Sequence, residues 1–247
     1  MARVDEYSFA VKLTCEFIGT AILVILGNGT VANVHLRGSK GYHAGWSLIA
    51  MGYGLGVMIP VMMFAGVSGA QINPAMTIGL AALGHQAWSV VPGYVAAQML
   101  GAMAGQVAIV TTHKPYYDRT EDPEDILATF STINAAHSRW NGLANEFLGT
   151  MILTSAALSI LNSPGFDHEP GAASIGVGFL VWGLVAGLGG PTGPALNPAR
   201  DLGPRLVHAL LPLKNKGGSE WDYAWVPVVA PLAGGLVGVA GYTWLLG

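Results

Sequence analysis

Between Lys40 and Lys114 the chain runs for 73 residues without an Asp, Glu, Lys or Arg. Four more charge-free stretches cover residues 17–36 (20 residues), 147–166 (20), 170–199 (30) and 223–247 (25). A helix that crosses the hydrocarbon layer needs about 20 mostly apolar residues. Each shorter stretch therefore holds one span and the longest has room for more than two, which makes six spans the natural count. Charged residues are 10% of the 247, against about 25% in soluble domains, too few to build a water-facing surface. The 35 glycines suit closely packed membrane helices and exclude a disordered or collagen-like chain.

The expected spans are 10–33, 45–66, 88–110, 142–162, 173–189 and 223–246. Apolar, Gly-containing segments remain at 70–84 and 192–211, each interrupted by Asn-Pro. Proline is favoured in the first helical turn and asparagine caps well before it. Each segment thus reads as a loop followed by a short helix starting at Pro74 or Pro198. Residues 114–140 concentrate charges and prolines and read as a solvated connector between two halves. Acidic residues ahead of the first span and no small-residue cleavage pattern after it argue against a removable signal peptide.

The two halves are related. Glu16-Phe17-Ile18-Gly19-Thr20 recurs as Glu146-Phe147-Leu148-Gly149-Thr150, and Ser68-Gly69-Ala70-Gln71-Ile72-Asn73-Pro74-Ala75 as Thr192-Gly193-Pro194-Ala195-Leu196-Asn197-Pro198-Ala199. Three spans per half send the second half in from the opposite face, so the repeats are inverted about an axis in the membrane plane. Non-helical backbone at that depth must be buried in protein or line a watery cavity. Residues 68–73 and 192–197 are therefore expected to line a pore.

With two Asn-Pro-Ala triplets in inverted halves, two Glu-Phe-x-Gly-Thr motifs and the run from Gly193 to Arg205, the sequence resembles the major intrinsic protein family, the aquaporins and aquaglyceroporins, over essentially its whole length. The expected fold is an all-α membrane protein of six transmembrane helices and two re-entrant half-helices, forming one channel domain. Its repeats are placed at about 8–113 and 138–247, joined by the connector 114–140.

Several roles follow for the residues. Half-helices starting at Pro74 and Pro198 aim their positive dipole ends at each other, which disfavours cations, including hydronium. Asn73 and Asn197 are expected to cap them and donate hydrogen bonds into the lumen, with Ala75 and Ala199 completing the triplets. Carbonyls of Gly69, Ala70, Gln71, Ile72, Gly193, Pro194, Ala195 and Leu196 would form an acceptor ladder opposite an apolar wall, which matches a polyol. The symmetric Glu16 and Glu146 read as braces for the loop amides, a role the resemblance also implies. Asp201 is grouped with them, and the sequence Asn-Pro-Ala-Arg-Asp resembles the glycerol-conducting branch.

An arginine at position 200 is costly unless it faces an aqueous lumen, and the resemblance makes it part of the narrowest filter. Spacing carries the other filter positions onto Tyr53, Val185 and Pro194. Glycerol facilitators usually have Trp and Phe at the positions of Tyr53 and Pro194, and water channels usually have His at that of Val185. The set departs from both patterns and suggests a pore wider than a water-only one, with the Tyr53 hydroxyl added to its wall.

The expected activity is passive, non-enzymatic passage of small neutral solutes and water: glycerol-like polyols, urea and undissociated lactic acid, with protons and ions excluded. A water-selective channel and a secondary transporter are the alternatives. The seven histidines form no metal-ligand pattern, the single Cys15 cannot form an internal disulfide, and neither a cofactor nor nucleic acid is implied. Family resemblance implies a homotetramer in the lipid of the plasma membrane with both termini cytoplasmic. Connectors at 34–44, 111–141 and 212–222 carry more Lys and Arg than the amino-terminal side, so the positive-inside rule opposes that orientation.

Overall fold

A computed structural model describes residues 6–166 and 170–246; Arg3 and His168 lie outside them. Helix α1 (Phe9–His35) starts at Ser8, whose hydroxyl accepts from the Val11 amide. Helix α2 (Trp46–Ser68) stops where Gly69 turns left-handed at φ 87°, a conformation that costs glycine no Cβ clash. Asn73 caps α3 (Pro74–Ala82), and a single 3₁₀ turn at Trp88–Val90 leads into α4 (Val91–Tyr117). The second half contains α6 (Arg139–Leu161), α7 (Pro170–Leu188), α8 (Pro198–Leu210) and α9 (Val226–Leu246), after a short α5 (Pro123–Ala128) in the connector. Six of these helices, α1, α2, α4, α6, α7 and α9, are long and apolar enough to cross a bilayer. The chain is an integral multi-pass membrane protein.

Helix α3 belongs to the first half and α8 to the second; neither is long enough to span. Each begins at its Asn-Pro-Ala triplet, as proline geometry and asparagine capping require. The expected boundaries stand within a few residues, except that α4 continues to Tyr117, well past residue 110.

Lipid offers no hydrophobic drive for helix association, so close backbone approach must hold the bundle together. Gly101 and Gly105 of α4 lie on α1: a Cβ at either would sit 2.2 Å from the Phe17 carbonyl oxygen or 2.6 Å from that of Ala21. Gly234 and Gly238 of α9 repeat the arrangement on α6, at 2.3 Å from the carbonyl oxygens of both Phe147 and Met151. Two small-xxx-small pairs thus clamp the two repeats of the Glu-Phe-x-Gly-Thr helix in the same way.

The connector differs from its expected solvated character. Ile126 and Leu127 of α5 are buried, as are Thr129, Phe130, Ser131 and Thr132 after it. The charged residues earlier in the segment face out, while this apolar and hydroxyl-bearing stretch folds down onto the helix bundle. Phe130 packs against Tyr117 with ring centroids 5.7 Å apart.

Candidate pore and filter

Each Glu-Phe-x-Gly-Thr motif acts as a cradle for one re-entrant loop. The Glu16 carboxylate accepts from the amides of Gln71 (2.9 Å) and Ile72 (2.6 Å), from the Ser68 hydroxyl (2.7 Å) and from Gln98 Nε2 (2.8 Å). Glu146 accepts from the amides of Ala195 and Leu196, both at 2.9 Å, and from the Thr192 hydroxyl at 2.8 Å. Every partner is a donor, which an acceptor-only carboxylate satisfies in full. The motif's glycine then makes room: a Cβ at Gly19 would lie 2.8 Å from the Ile72 side chain, and one at Gly149 2.5 Å from that of Leu196. Thr20 and Thr150 turn their hydroxyls back to the carbonyls of Glu16 and Glu146, each at 2.7 Å, keeping the polar atoms satisfied within the helix.

The cradles hold a costly backbone. Ala70, Ile72 and Leu196 have positive φ (43°, 44° and 51°), the region that β-branched and bulky side chains avoid. Such turns persist only where the surroundings over-determine them, and paired carboxylate-to-amide bonds provide that here.

The tips of the loops meet. Asn73 Oδ1 accepts from the Ala75 amide while its Nδ2 donates to the Leu196 carbonyl (2.8 Å); Asn197 Oδ1 accepts from Ala199 and its Nδ2 donates to the Ile72 carbonyl (2.7 Å). Each asparagine therefore caps its own half-helix and ties the opposite loop. One N–H of each amide is consumed by this tie, so the carbonyls of Ile72 and Leu196 serve the loop junction as well as the wall.

A cavity of about 740 Å³ passes this junction. Both loops (Ser68 to Asn73 and Pro194 to Asn197) line it, together with the apolar side chains of Leu23, Val57, Val61, Val177 and Val181. Tyr53, Val185, Pro194 and Arg200 all line it, with Tyr53 packed beside Val185 and in contact with Arg200. Tyr53 and Arg200 also line a second, smaller cavity of about 110 Å³ beside His35, Trp46 and Thr192. The two side chains stand between the cavities, with Arg200 donating a hydrogen bond to the Tyr53 oxygen and its guanidinium carbon 4.8 Å from the ring centroid. The Tyr53 hydroxyl is not the free wall group expected: it also donates to Asn28 Oδ1 at 2.6 Å.

Asp201 braces a different element from the one expected. Its Oδ2 accepts from the amide (2.7 Å) and hydroxyl (2.6 Å) of Thr132, pinning the connector onto α8, while Oδ1 pairs with fully buried Arg205 at 2.9 Å. Arg205 donates further to the carbonyls of Ser219 and Thr132, both at 2.7 Å. Removing one partner of such a buried pair leaves an uncompensated charge, so the pair acts as a single unit.

The end of α8 is finished by Lys216, whose ammonium donates to the carbonyls of His208, Ala209 and Leu211, groups a helix terminus leaves unpaired. His208 Nε2 faces the Lys216 carbonyl, which can only accept, so that nitrogen carries the proton and Nδ1 accepts from Ser219. Burial, then the Lys216 and Arg205 charges, push the His208 pKa down to about 4, which keeps the ring neutral at pH 7. Arg205, His208, Gln98, Asn28 and Gln106 are buried network residues that sequence reasoning did not single out. A basic residue or an amide inside an otherwise apolar run is the one signal that could have flagged them.

A membrane helix bundle with two half-helices meeting end to end beside a cavity lined by their loops is a transmembrane channel architecture. The sequence profile of the major intrinsic protein family matches residues 3–242, and the chain belongs to this family of membrane channels. It is 50% identical over 238 residues to the glycerol uptake facilitator protein-like 5 of Lactiplantibacillus plantarum, covering 94% of this chain and 95% of that one. The glycerol facilitator-aquaporin gla of Lactococcus lactis subsp. cremoris is 44% identical, with 95% and 97% covered. Among solved structures, the aquaglyceroporin from Plasmodium falciparum superposes with a TM-score of 0.85 at 30% identity, covering 97% of each chain.

Proposed function

We propose that the protein is a passive facilitator for glycerol-sized neutral molecules and water, with Tyr53, Val185, Pro194 and Arg200 as its selectivity filter. The observation that carries this reading is the mixed lining of the cavity, loop backbone together with aliphatic side chains. Its loop wall has the amides of Gln71, Ile72, Ala195 and Leu196 tied back to carboxylates, which leaves the ladder carbonyls as acceptors for solute. Beside the loops the cavity is lined by Leu23, Val57, Val61, Val177 and Val181. A polyol has the same division into a hydroxyl edge and a CH edge. Named relatives that are glycerol facilitators support it.

The filter lacks both the histidine of water channels and the phenylalanine of glycerol facilitators, and that width extends the reading to urea and undissociated small hydroxy acids such as lactic acid. Ions are excluded for two reasons. The amino ends of α3 and α8 converge at the loop junction with partial positive charge, and an unpaired ion in a narrow low-dielectric lumen loses far more hydration than the loops replace. The same field disfavours hydronium. The protein acts as a homotetramer in the plasma membrane with both termini cytoplasmic, a reading supported by family likeness alone.

Lactic acid tests the finer part. Uptake into proteoliposomes at fixed total lactate should fall about tenfold per pH unit once pH exceeds the acid's own pKa, tracking the neutral species. Uptake that stays constant with pH would mean that the anion passes, and would contradict the exclusion argument.

A further inference from the structure

Asn28 on α1 and Gln106 on α4 are fully buried and line neither cavity, yet they lie directly behind the constriction. Asn28 Nδ2 donates to the Phe130 carbonyl and to Gln106 Oε1, both at 2.8 Å, and Oδ1 accepts from the Tyr53 hydroxyl at 2.6 Å. A backbone carbonyl can only accept, so the Asn28 atom facing Phe130 must be the nitrogen. The atom facing Tyr53 is then the oxygen, and it too can only accept. Tyr53 must therefore aim its proton at Asn28, away from the lumen, and only its lone pairs remain for the guanidinium of Arg200.

We propose that Asn28, held by Gln106 and the Phe130 carbonyl, is a specificity-determining positioning residue that sets the filter from outside the pore. It fixes the Tyr53 ring and turns its hydroxyl into an acceptor for Arg200. The constriction then offers solute guanidinium donors but no hydroxyl donor. Arg200 lines both cavities, while its Nε is buried and without a hydrogen-bond partner among the described residues. The inference rests on the reading of Tyr53 and Arg200 as the filter.

The test is the ratio of erythritol to glycerol permeability in the same proteoliposomes. This ratio cancels the number of working channels, so a loss of folded protein alone does not move it. Asn28→Ala frees the ring and its hydroxyl, and the ratio should rise about 2- to 10-fold, the range that one hydrogen bond is worth. Tyr53→Phe should shift it in the same direction, and adding Asn28→Ala to Tyr53→Phe should change nothing further. A ratio unchanged in Tyr53→Phe, or an Asn28→Ala effect of equal size with and without Tyr53→Phe, would overturn the proposal. If Asn28→Ala is not recovered folded, Gln106→Leu takes its place in the same cycle, with a smaller shift of the same sign expected. Val185→Phe separates the two claims. If it leaves glycerol flux intact, the filter reading itself fails; if it blocks flux while the Asn28 cycle shows no coupling, only the positioning role falls.

Discussion

Glu146→Ala should abolish the channel. Three donors, the amides of Ala195 and Leu196 and the Thr192 hydroxyl, lose their acceptor in a place that water does not readily reach. Each buried unsatisfied group costs about 1–3 kcal/mol, so the loss is roughly 3–9 kcal/mol, comparable to the whole stability of a small protein. Leu196 adds to the effect, because the residue, at positive φ, loses its amide bond to Glu146 and keeps only the Asn73 tie to its carbonyl. The expected result in detergent is a thermal midpoint lowered beyond detection as a cooperative transition, and flux in liposomes at the lipid background. Glu146→Gln should fall between, since its retained oxygen still serves Thr192 and Ala195 while its NH₂ faces the Leu196 amide. The equivalent change at Glu16 strands four donors and should be at least as severe. A Glu146→Ala protein that melts and conducts like its parent would show that the carboxylate does not brace the loop.

Val185→Phe carries the second large effect. Val185 is buried among Val181, Ile49 and Tyr53 on one side and lines the cavity on the other. Its backbone carbonyl accepts from Trp46 Nε1 at 2.8 Å, which holds this stretch of α7 in place. The added ring has no room to move back, because overpacking a filled core costs about 1–3 kcal/mol. It enters the lumen next to Tyr53 and Arg200. Glycerol permeability per channel should drop at least about tenfold, equivalent to a barrier raised by ~1.4 kcal/mol, while water, being smaller, should be affected less. Glycerol flux unchanged in this variant would remove Val185 from the filter.

The spans, the half-helices and the cradle could be read in the sequence because each depends on a local rule. Charge-free runs mark the spans, Asn-Pro marks a capped helix start, and the repeated Glu-Phe-x-Gly-Thr points to one loop brace in each half. What stayed hidden depends on partners distant in sequence. Asn28 meets Gln106 across 78 positions and Phe130 across 102, and no spacing rule links an amide on one helix to an amide on another. The same is true of Asp201: it was grouped with the braces of the re-entrant loops, whereas its carboxylate turns to Thr132 and Arg205. The connector misled for a different reason. Its charges dominate the composition, while the few residues that bury, Ile126, Leu127 and Phe130, are too short a pattern to register as structure.

Stopped-flow light scattering of proteoliposomes under a glycerol gradient distinguishes a passive facilitator from a coupled transporter and from a water-only channel. Glycerol entry should be fast, rise linearly with the gradient without saturating at low concentration, and be indifferent to imposed proton or sodium gradients. Entry that requires an ion gradient, or water flux with no glycerol entry above the lipid background, would contradict passive facilitation.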